Sequence, residues 1–237
     1  MTTRGEQTRQ HLLDVAEQLL ATRGVHAVSL REIRIAAGAR NTAAMQFHFG
    51  DRDGPVDALM ARHMPRIGEL QQETYDRMVA EGRSDERRAL VEVLVRPSAE
   101  YLSWGPSERS WVRIMAELSS MPDLRAREMR SIAPAPAVEV GGHLYNQLCD
   151  TMPRSLAAHR MVLLAQGALQ MCADRARLVN DNSADLTLPS PVFIENLTDM
   201  IEASLFAPVS PPTARSLAEA NTVPRRRRGT TPVPTPG

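Results

Sequence analysis

Apolar residues recur at three- and four-residue steps along most of the chain, which is the spacing of helices that bury one face. This pattern predicts a first helix at 8–23 and a long helix at 55–81 that Pro65 interrupts. Residues 1–7 carry no stripe and are expected to form a frayed polar arm. Further stripes predict helices at 84–103, 107–121, 124–132, 138–152, 153–179 and 190–206. The chain is therefore predicted to be all-α.

Two short predicted helices lie close together between Leu30 and Phe49. Ser29 and Glu32 have the spacing of a capping box, in which each residue satisfies a free backbone amide near the other. Gly38 ends this first short helix, because glycine adopts the left-handed conformation without a side-chain penalty. A second helix at 41–49 completes the spacing of a helix-turn-helix, whose second helix enters the DNA major groove. A plain helical corner is the alternative on spacing alone.

Three segments together resemble the N-terminal domain of the TetR/AcrR family of transcriptional regulators. They are TRQHLLDVAEQLLATRG at 8–24, the capped helix at 29–38, and MQFHFGDR at 45–52. The resemblance covers about the first 60 residues and implies that 46–49 closes the DNA-reading helix. The chain departs from the family pattern in a turn one residue longer, in Gln46 where Tyr is usual, and in Arg34 where a small residue often packs.

Side-chain chemistry selects the candidate DNA contacts within this unit. Arginine can pair bidentately with guanine, asparagine and glutamine with adenine, and threonine offers both a hydroxyl and a methyl group. Met45 and Phe49 are expected to pack inward, and His48 and Arg52 to contact phosphate. For His48, capping or bracing the fold is the alternative role. A solvated surface role is the alternative for each exposed polar residue. The candidate contacts are Arg31, Arg40, Asn41, Thr42, Gln46, Phe47, His48 and Arg52.

Charge separates the chain into three parts although its net charge is zero. Residues 1–52 carry seven arginines against five acidic residues, and residues 53–207 carry 16 against 22. A weakly basic end on an acidic body is typical of a protein that contacts DNA at one end. The chain contains no lysine, so any phosphate contact from a basic side chain other than histidine would use a guanidinium group.

Three regions are predicted: a helix-turn-helix DNA-binding domain at 1–54, a helical ligand-binding and dimerisation domain at 55–207, and a tail at 208–237. The tail holds seven of the 17 prolines and no apolar periodicity, so it is expected to be disordered. Its run Arg225–Arg228 offers non-specific phosphate contacts, with a plain solvated run as the alternative.

The resemblance implies a dimer in which two helices of each subunit form a four-helix seam. The candidate seam residues lie on the last two long helices, and filling the monomer core is their alternative role: Leu164, Ala168, Met171, Phe193, Leu197 and Ile201. A ligand pocket is expected in the body for a small apolar or aromatic effector. Its candidate lining residues, for which core packing is the alternative, are Tyr75, Met78, Tyr101, Trp104, Trp111 and Met115.

The sequence lacks the short motifs of common hydrolases, phosphate-binding loops and metal sites, so no catalysis, cofactor or metal is expected. Cys149 and Cys172 fit a reducing cytoplasm, and no run of 18 apolar residues predicts a membrane span. The function predicted is a dimeric repressor that a small molecule releases from a palindromic operator. The alternatives are a helical protein-interaction adaptor and a DNA-binding protein controlled by oxidation of the two cysteines.

Overall fold

A computed structural model describes residues 3–39, 44–121, 135–181 and 187–222, and in these ranges α-helices are joined by turns. The predicted all-α class is confirmed. A three-residue 3-10 turn, Val25–Ala27, separates the first two helices. In chain order the helices are α1 (Arg4–Arg23), α2 (Leu30–Ala36), α3 (Ala44–Phe49), α4 (Gly54–Ala80), α5 (Arg87–Tyr101), α6 (Pro106–Ser119), α7 (Ala135–Cys149), α8 (Arg154–Asn180), α9 (Ser190–Leu205) and α10 (Pro211–Thr222).

Helix α1 begins four residues before the predicted start, so the expectation of a frayed arm is wrong for residues 4–7. Thr3 is the N-cap: its hydroxyl accepts the Glu6 backbone N–H at 3.2 Å, and the Glu6 carboxylate accepts the Thr3 N–H at 2.6 Å. This capping box satisfies two amides that would otherwise be free in the first turn.

Three other helix starts differ from the predictions. The N-cap of α5 is Glu86 rather than a residue at 84–85, and the N-cap of α9 is Pro189 rather than Ser190. Helix α7 begins at Ala135 and contains Pro136, because proline is tolerated in a first turn where its missing N–H has no helical partner. The predicted helix at 124–132 lies outside the described residues.

The body of the protein is a packed set of long helices around an aliphatic core. Helix α6 packs on α8, α5 packs on α4, α7 and α9, and α1 packs on both α6 and α4. Leu12, Leu59, Leu90, Trp111 and Leu144 are all but inaccessible to solvent. Because α1 contributes to this packing, the segment carrying the helix-turn-helix is anchored to the body by side-chain contacts as well as by the continuous helix α4.

The described residues fall into two compact units, one ending at Phe206 and one beginning at Ala207. The second unit contains α10, where the sequence predicted no regular structure. Residues 223–237, including Arg225–Arg228, lie outside the described part of the chain.

Candidate nucleic-acid interface

The residues predicted to begin and end helix α2, Ser29, Glu32 and Gly38, do so in the structure. The Ser29 hydroxyl accepts the Glu32 N–H at 3.2 Å, and the Glu32 carboxylate accepts the Ser29 N–H at 2.9 Å. Hydrogen bonds from the Ser29 side chain, then its backbone, and from Arg23 at 2.6 Å lower the pKa of Glu32 to about 2. Gly38 has φ of 64°, as predicted for the residue that ends α2.

Helix α3 has one buried face and one exposed face. Met45 and Phe49 are buried, which confirms their predicted inward packing, and the Arg9 guanidinium lies 5.5 Å from the centre of the Phe49 ring. Gln46 is exposed, and Phe47 has 83% of its surface accessible. Gln46 and Phe47 thus form an exposed face of this six-residue helix.

The remaining predicted contacts fall into two groups. Residues 40–43, which include Arg40, Asn41 and Thr42, lie outside the described residues. Arg31 is exposed and His48 is half-buried, with its ring 5.0 Å from that of Phe47. Arg52 is exposed but already donates from Nη2 to the His26 carbonyl oxygen at 2.8 Å. Arg52 therefore ties the turn after α3 to the 3-10 turn.

A buried polar cluster lies where α1 meets α4 and α6, and Tyr101 of α5 joins it through His63. The carboxylate of Glu17, 3% exposed, accepts hydrogen bonds from Arg62 Nη1 at 2.9 Å and from the Ser107 hydroxyl at 2.9 and 3.0 Å. His63 Nε2 lies 2.8 Å from Glu17 Oε1, an electrostatic contact outside hydrogen-bond alignment. His63 Nδ1 forms a 2.7 Å hydrogen bond with the Tyr101 hydroxyl, and burial raises the pKa of Tyr101 to about 12.

The cluster was not predicted as a unit, although the sequence carries a signal for it. Glu17 follows Leu13 by four residues and precedes Leu20 by three, so it occupies an apolar position of the α1 stripe. His63 occupies the same kind of position on α4, four residues after Leu59. Charged or polar residues in such positions require buried partners, which here come from other helices.

The six predicted pocket residues differ in burial and in the side chains that they contact. Tyr101 and Trp111 pack on His63, and the Trp111 ring stacks on the imidazole at 5.1 Å. Trp104 is 43% exposed, with the Arg66 guanidinium 4.7 Å from its ring centre.

Of the other three, Met78 is buried and Met115 is half-buried. The Tyr75 hydroxyl donates to Glu139 at 2.7 Å, which directs it toward α7. A separate open groove of about 470 Å³ between α1, α4 and α6 includes Asp14, Arg62 and Ser107 but none of the six predicted residues.

Three of the six predicted dimer residues are buried within the chain. Leu197 and Ile201 are 2% and 6% exposed, because the stronger apolar stripe of α9 packs within the chain against α5 and α8. Ala168 is also buried, Leu164 and Phe193 are half-buried, and Met171 is exposed. A second, weaker apolar stripe on α8 and α9 was not predicted from the sequence. Its residues are exposed: Val162, Leu163, Val192 and Met200.

Three further observations bear on other classes of function. Cys172 is buried, which raises the pKa of its thiol to about 12, and Cys149 is half-buried. Within the ranges described, no three His, Cys, Asp or Glu residues are grouped so as to hold a metal ion. In those same ranges no helix is both long enough and apolar enough to cross a membrane.

Part of the chain is similar in sequence to a known transcriptional regulator. Over 89 residues the chain is 36% identical to the HTH-type transcriptional regulator AcrR of Shigella flexneri, and the match covers 38% of this chain and 41% of that protein. The predicted resemblance is thereby confirmed. Among solved structures, Salmonella enterica GusR has 19% identity and a TM-score of 0.41 over 86% of this chain and 97% of its own. No protein-family profile matches the chain.

Proposed function

We propose that this AcrR-like protein is a dimeric transcriptional regulator that binds DNA through α2 and α3. The observation that carries the proposal is the exposed face of α3 with Gln46 and Phe47, held on a capped helix-turn-helix by the buried residues Met45 and Phe49. The 36% identity to a transcriptional regulator over 89 residues supports it. The regions proposed are 1–54 for DNA binding, 55–207 for ligand binding and dimerisation, and 208–237 as a tail.

Each subunit would place residues 41–48 in one major groove of the operator. Gln46 can hydrogen-bond to adenine. Arg31, on the neighbouring helix α2, can hydrogen-bond to guanine or to a DNA phosphate. Phe47 would lie against the sugar-phosphate wall or a thymine methyl group. The small basic excess of residues 1–52 provides little non-specific affinity, so binding would depend on two subunits acting together.

The dimer surface would be the exposed apolar stripe of α8 and α9. Leu163 is 51% exposed and Met171 follows it by eight residues on the same face of α8. Val192 and Met200 are likewise eight residues apart on α9, and α8 packs on α9 within the subunit. Two copies of this helix pair would bury the stripe in a symmetric interface, in which each patch meets its own equivalent.

Release from DNA would follow binding of a small apolar or aromatic molecule in the body. The two DNA-binding segments must match half-sites about 34 Å apart, or a multiple of that distance. A ligand that favours another separation lowers DNA affinity by its differential binding to the two states. The indole N–H of Trp111 supports a polar contact within such a site, because it is buried and meets no hydrogen-bond acceptor among the described residues. We propose that the protein acts as a cytoplasmic repressor.

Selection of genomic DNA tests this function. Fragments of the source genome are incubated with the purified full chain, and bound fragments are sequenced. We expect a small set that shares an inverted repeat. Replacing Gln46 and His48 by alanine should abolish the enrichment, whereas Arg77→Ala, at an exposed position in the last turn of α4, should preserve it. Equal enrichment by the double variant, or no enrichment by the native chain, would refute the proposal.

A further inference from the structure

The 3-10 turn Val25–Ala27 forms one hydrogen bond to the helical body and another to the turn that follows α3. On the body side, the Val25 N–H donates to Glu117 Oε1 of α6 at 2.9 Å, across 92 positions of sequence. On the DNA side, the His26 carbonyl accepts from Arg52 Nη2 at 2.8 Å. Arg52 lies three residues beyond Phe49, the last residue of α3. Two adjacent residues of one short turn, Val25 and His26, therefore form backbone hydrogen bonds to α6 and to the turn after α3.

The backbone before this turn is adapted to the approach of Glu117. Gly24 ends α1 with φ of 94°, a conformation that residues with a side chain rarely adopt. A Cβ atom at this position would lie 3.2 Å from Glu117 Oε1, which is closer than ordinary van der Waals contact. Glycine at position 24 thus permits both the left-handed backbone and the close carboxylate, and the contact is a specific feature of the fold.

We propose that Glu117, the turn Val25–Ala27 and Arg52 form a positioning path that sets the orientation of α3 relative to the body. This proposal rests on the proposed DNA-binding function and adds to it a connection independent of α4. It also gives Arg52 a role through His26 in place of the phosphate contact that the sequence predicts. Glu117 and Arg52 are positioning residues here, because they act on α3 through the turn.

If the hydrogen bonds of this path are removed, only α4 and the packing of α1 orient the DNA-binding segment. The two segments of a dimer then sample a wider range of separations, and the fraction with the correct separation falls. Apparent affinity for the operator falls by the same fraction. Discrimination between operators of different half-site spacing weakens at the same time, since orientations that suit other spacings become more populated. This second effect separates positioning from a general loss of stability.

The first experiment compares Glu117→Ala with Glu117→Gln in the full chain. Glutamine keeps an oxygen acceptor for the Val25 N–H, whereas alanine removes it. The probes are duplexes from the genomic selection, with the native half-site spacing and with one or two base pairs added or removed. Glu117→Ala should bind the native duplex about threefold to tenfold more weakly, the equivalent of one hydrogen bond. Its preference for native spacing should shrink, and Glu117→Gln should stay near the native protein.

The salt dependence of binding identifies how Arg52 acts. If Arg52 acts through His26, Arg52→Ala should reduce spacing discrimination and leave the slope of log K against log salt unchanged. A phosphate contact predicts the opposite, a slope smaller by about 1 with discrimination intact. That second result would remove Arg52 from the path. Arg77→Ala is the matched control, because it deletes an exposed arginine from the body.

A DNA-free measurement separates failure of the path from failure of the proposed function. Amide hydrogen exchange reports local opening at each backbone N–H. In Glu117→Ala, exchange should accelerate at Val25 and at Gly50, whose N–H donates to the Gln46 carbonyl at 3.0 Å, with α8 unaffected. Unchanged exchange at Gly50, or a uniform affinity loss for every spacing, would overturn the path. A native chain that binds no duplex would overturn the DNA-binding function, while the exchange data would still decide whether Glu117 controls the end of α3.

Discussion

Replacing Glu17 by glutamine should cost the protein much more stability than its small chemical change suggests. The side chain keeps its size and nearly its helix propensity, so packing and local structure are preserved. What changes is the acceptor: one carboxylate oxygen becomes an amide NH₂ that faces donors from Arg62 and Ser107. A single oxygen then has to accept from both Arg62 and Ser107, and the negative charge opposite Arg62 disappears.

The magnitude follows from the burial of the two partners. Removing one member of a buried ion pair costs about 3–5 kcal/mol. The Glu17 side chain is 4% exposed and that of Arg62 is 20% exposed, and Arg62 keeps a second partner in Asp14 at 2.8 Å. These features place the expected loss at the lower end, about 3 kcal/mol in the free energy of unfolding. In urea this loss corresponds to a midpoint lower by roughly 1 M.

Asp14→Asn is the matched control. It removes the same charge from the same helix and also faces Arg62, but Asp14 is exposed to solvent. An exposed pair contributes about 0–1 kcal/mol, so this variant should unfold close to the native midpoint. Both variants are measured by circular dichroism at one protein concentration, because the proposed dimerisation would make stability depend on concentration. Equal midpoints for Glu17→Gln and Asp14→Asn would refute the view that the buried carboxylate stabilises the junction.

Three further outcomes are expected. Met200→Glu should shift the protein from dimer to monomer in sedimentation, whereas Arg77→Glu should leave it dimeric; a Met200→Glu dimer would exclude this stripe as the seam. A thiol reagent at pH 8 should modify Cys149 and leave Cys172 unreacted until the protein unfolds, because the pKa of Cys172 is raised to about 12 by burial. Fast modification of both would support the redox alternative. The Glu32 carboxylate should titrate by NMR near pH 2. Since its folded pKa is depressed, its stabilising contribution is present above about pH 4.3 and lost as the pH falls toward 2.

Local patterns in the sequence predicted the helices and the inward face of the DNA-binding unit. Ser29, Glu32 and Gly38 act within one or two helical turns, so their roles follow from spacing alone. Met45 and Phe49 are buried as their four-residue separation predicts. The spacing of Thr3 and Glu6 is that of a capping box and could have indicated the earlier start of α1. The apolar stripe begins only at Leu12, and for this reason the start was predicted too late.

Contacts between distant segments could not be predicted in the same way. Glu117 meets Val25 across 92 positions, and nothing in the sequence around either residue indicates the other. The burial of Leu197 and Ile201 within the chain was not predicted for a different reason: α9 has two apolar faces, and the stronger one, which carries both residues, packs in the core. Deciding which face a helix buries first requires the positions of its neighbours.

The number of subunits on one operator tests the central claim most directly. A duplex recovered from the genomic selection is titrated with the full chain, and the mass of the complex is measured by sedimentation. Two chains per inverted repeat, bound together and without a stable complex containing one chain, is the predicted result. A complex of one chain per duplex, or independent binding to each half-site, would contradict a regulator that reads DNA as a coupled pair.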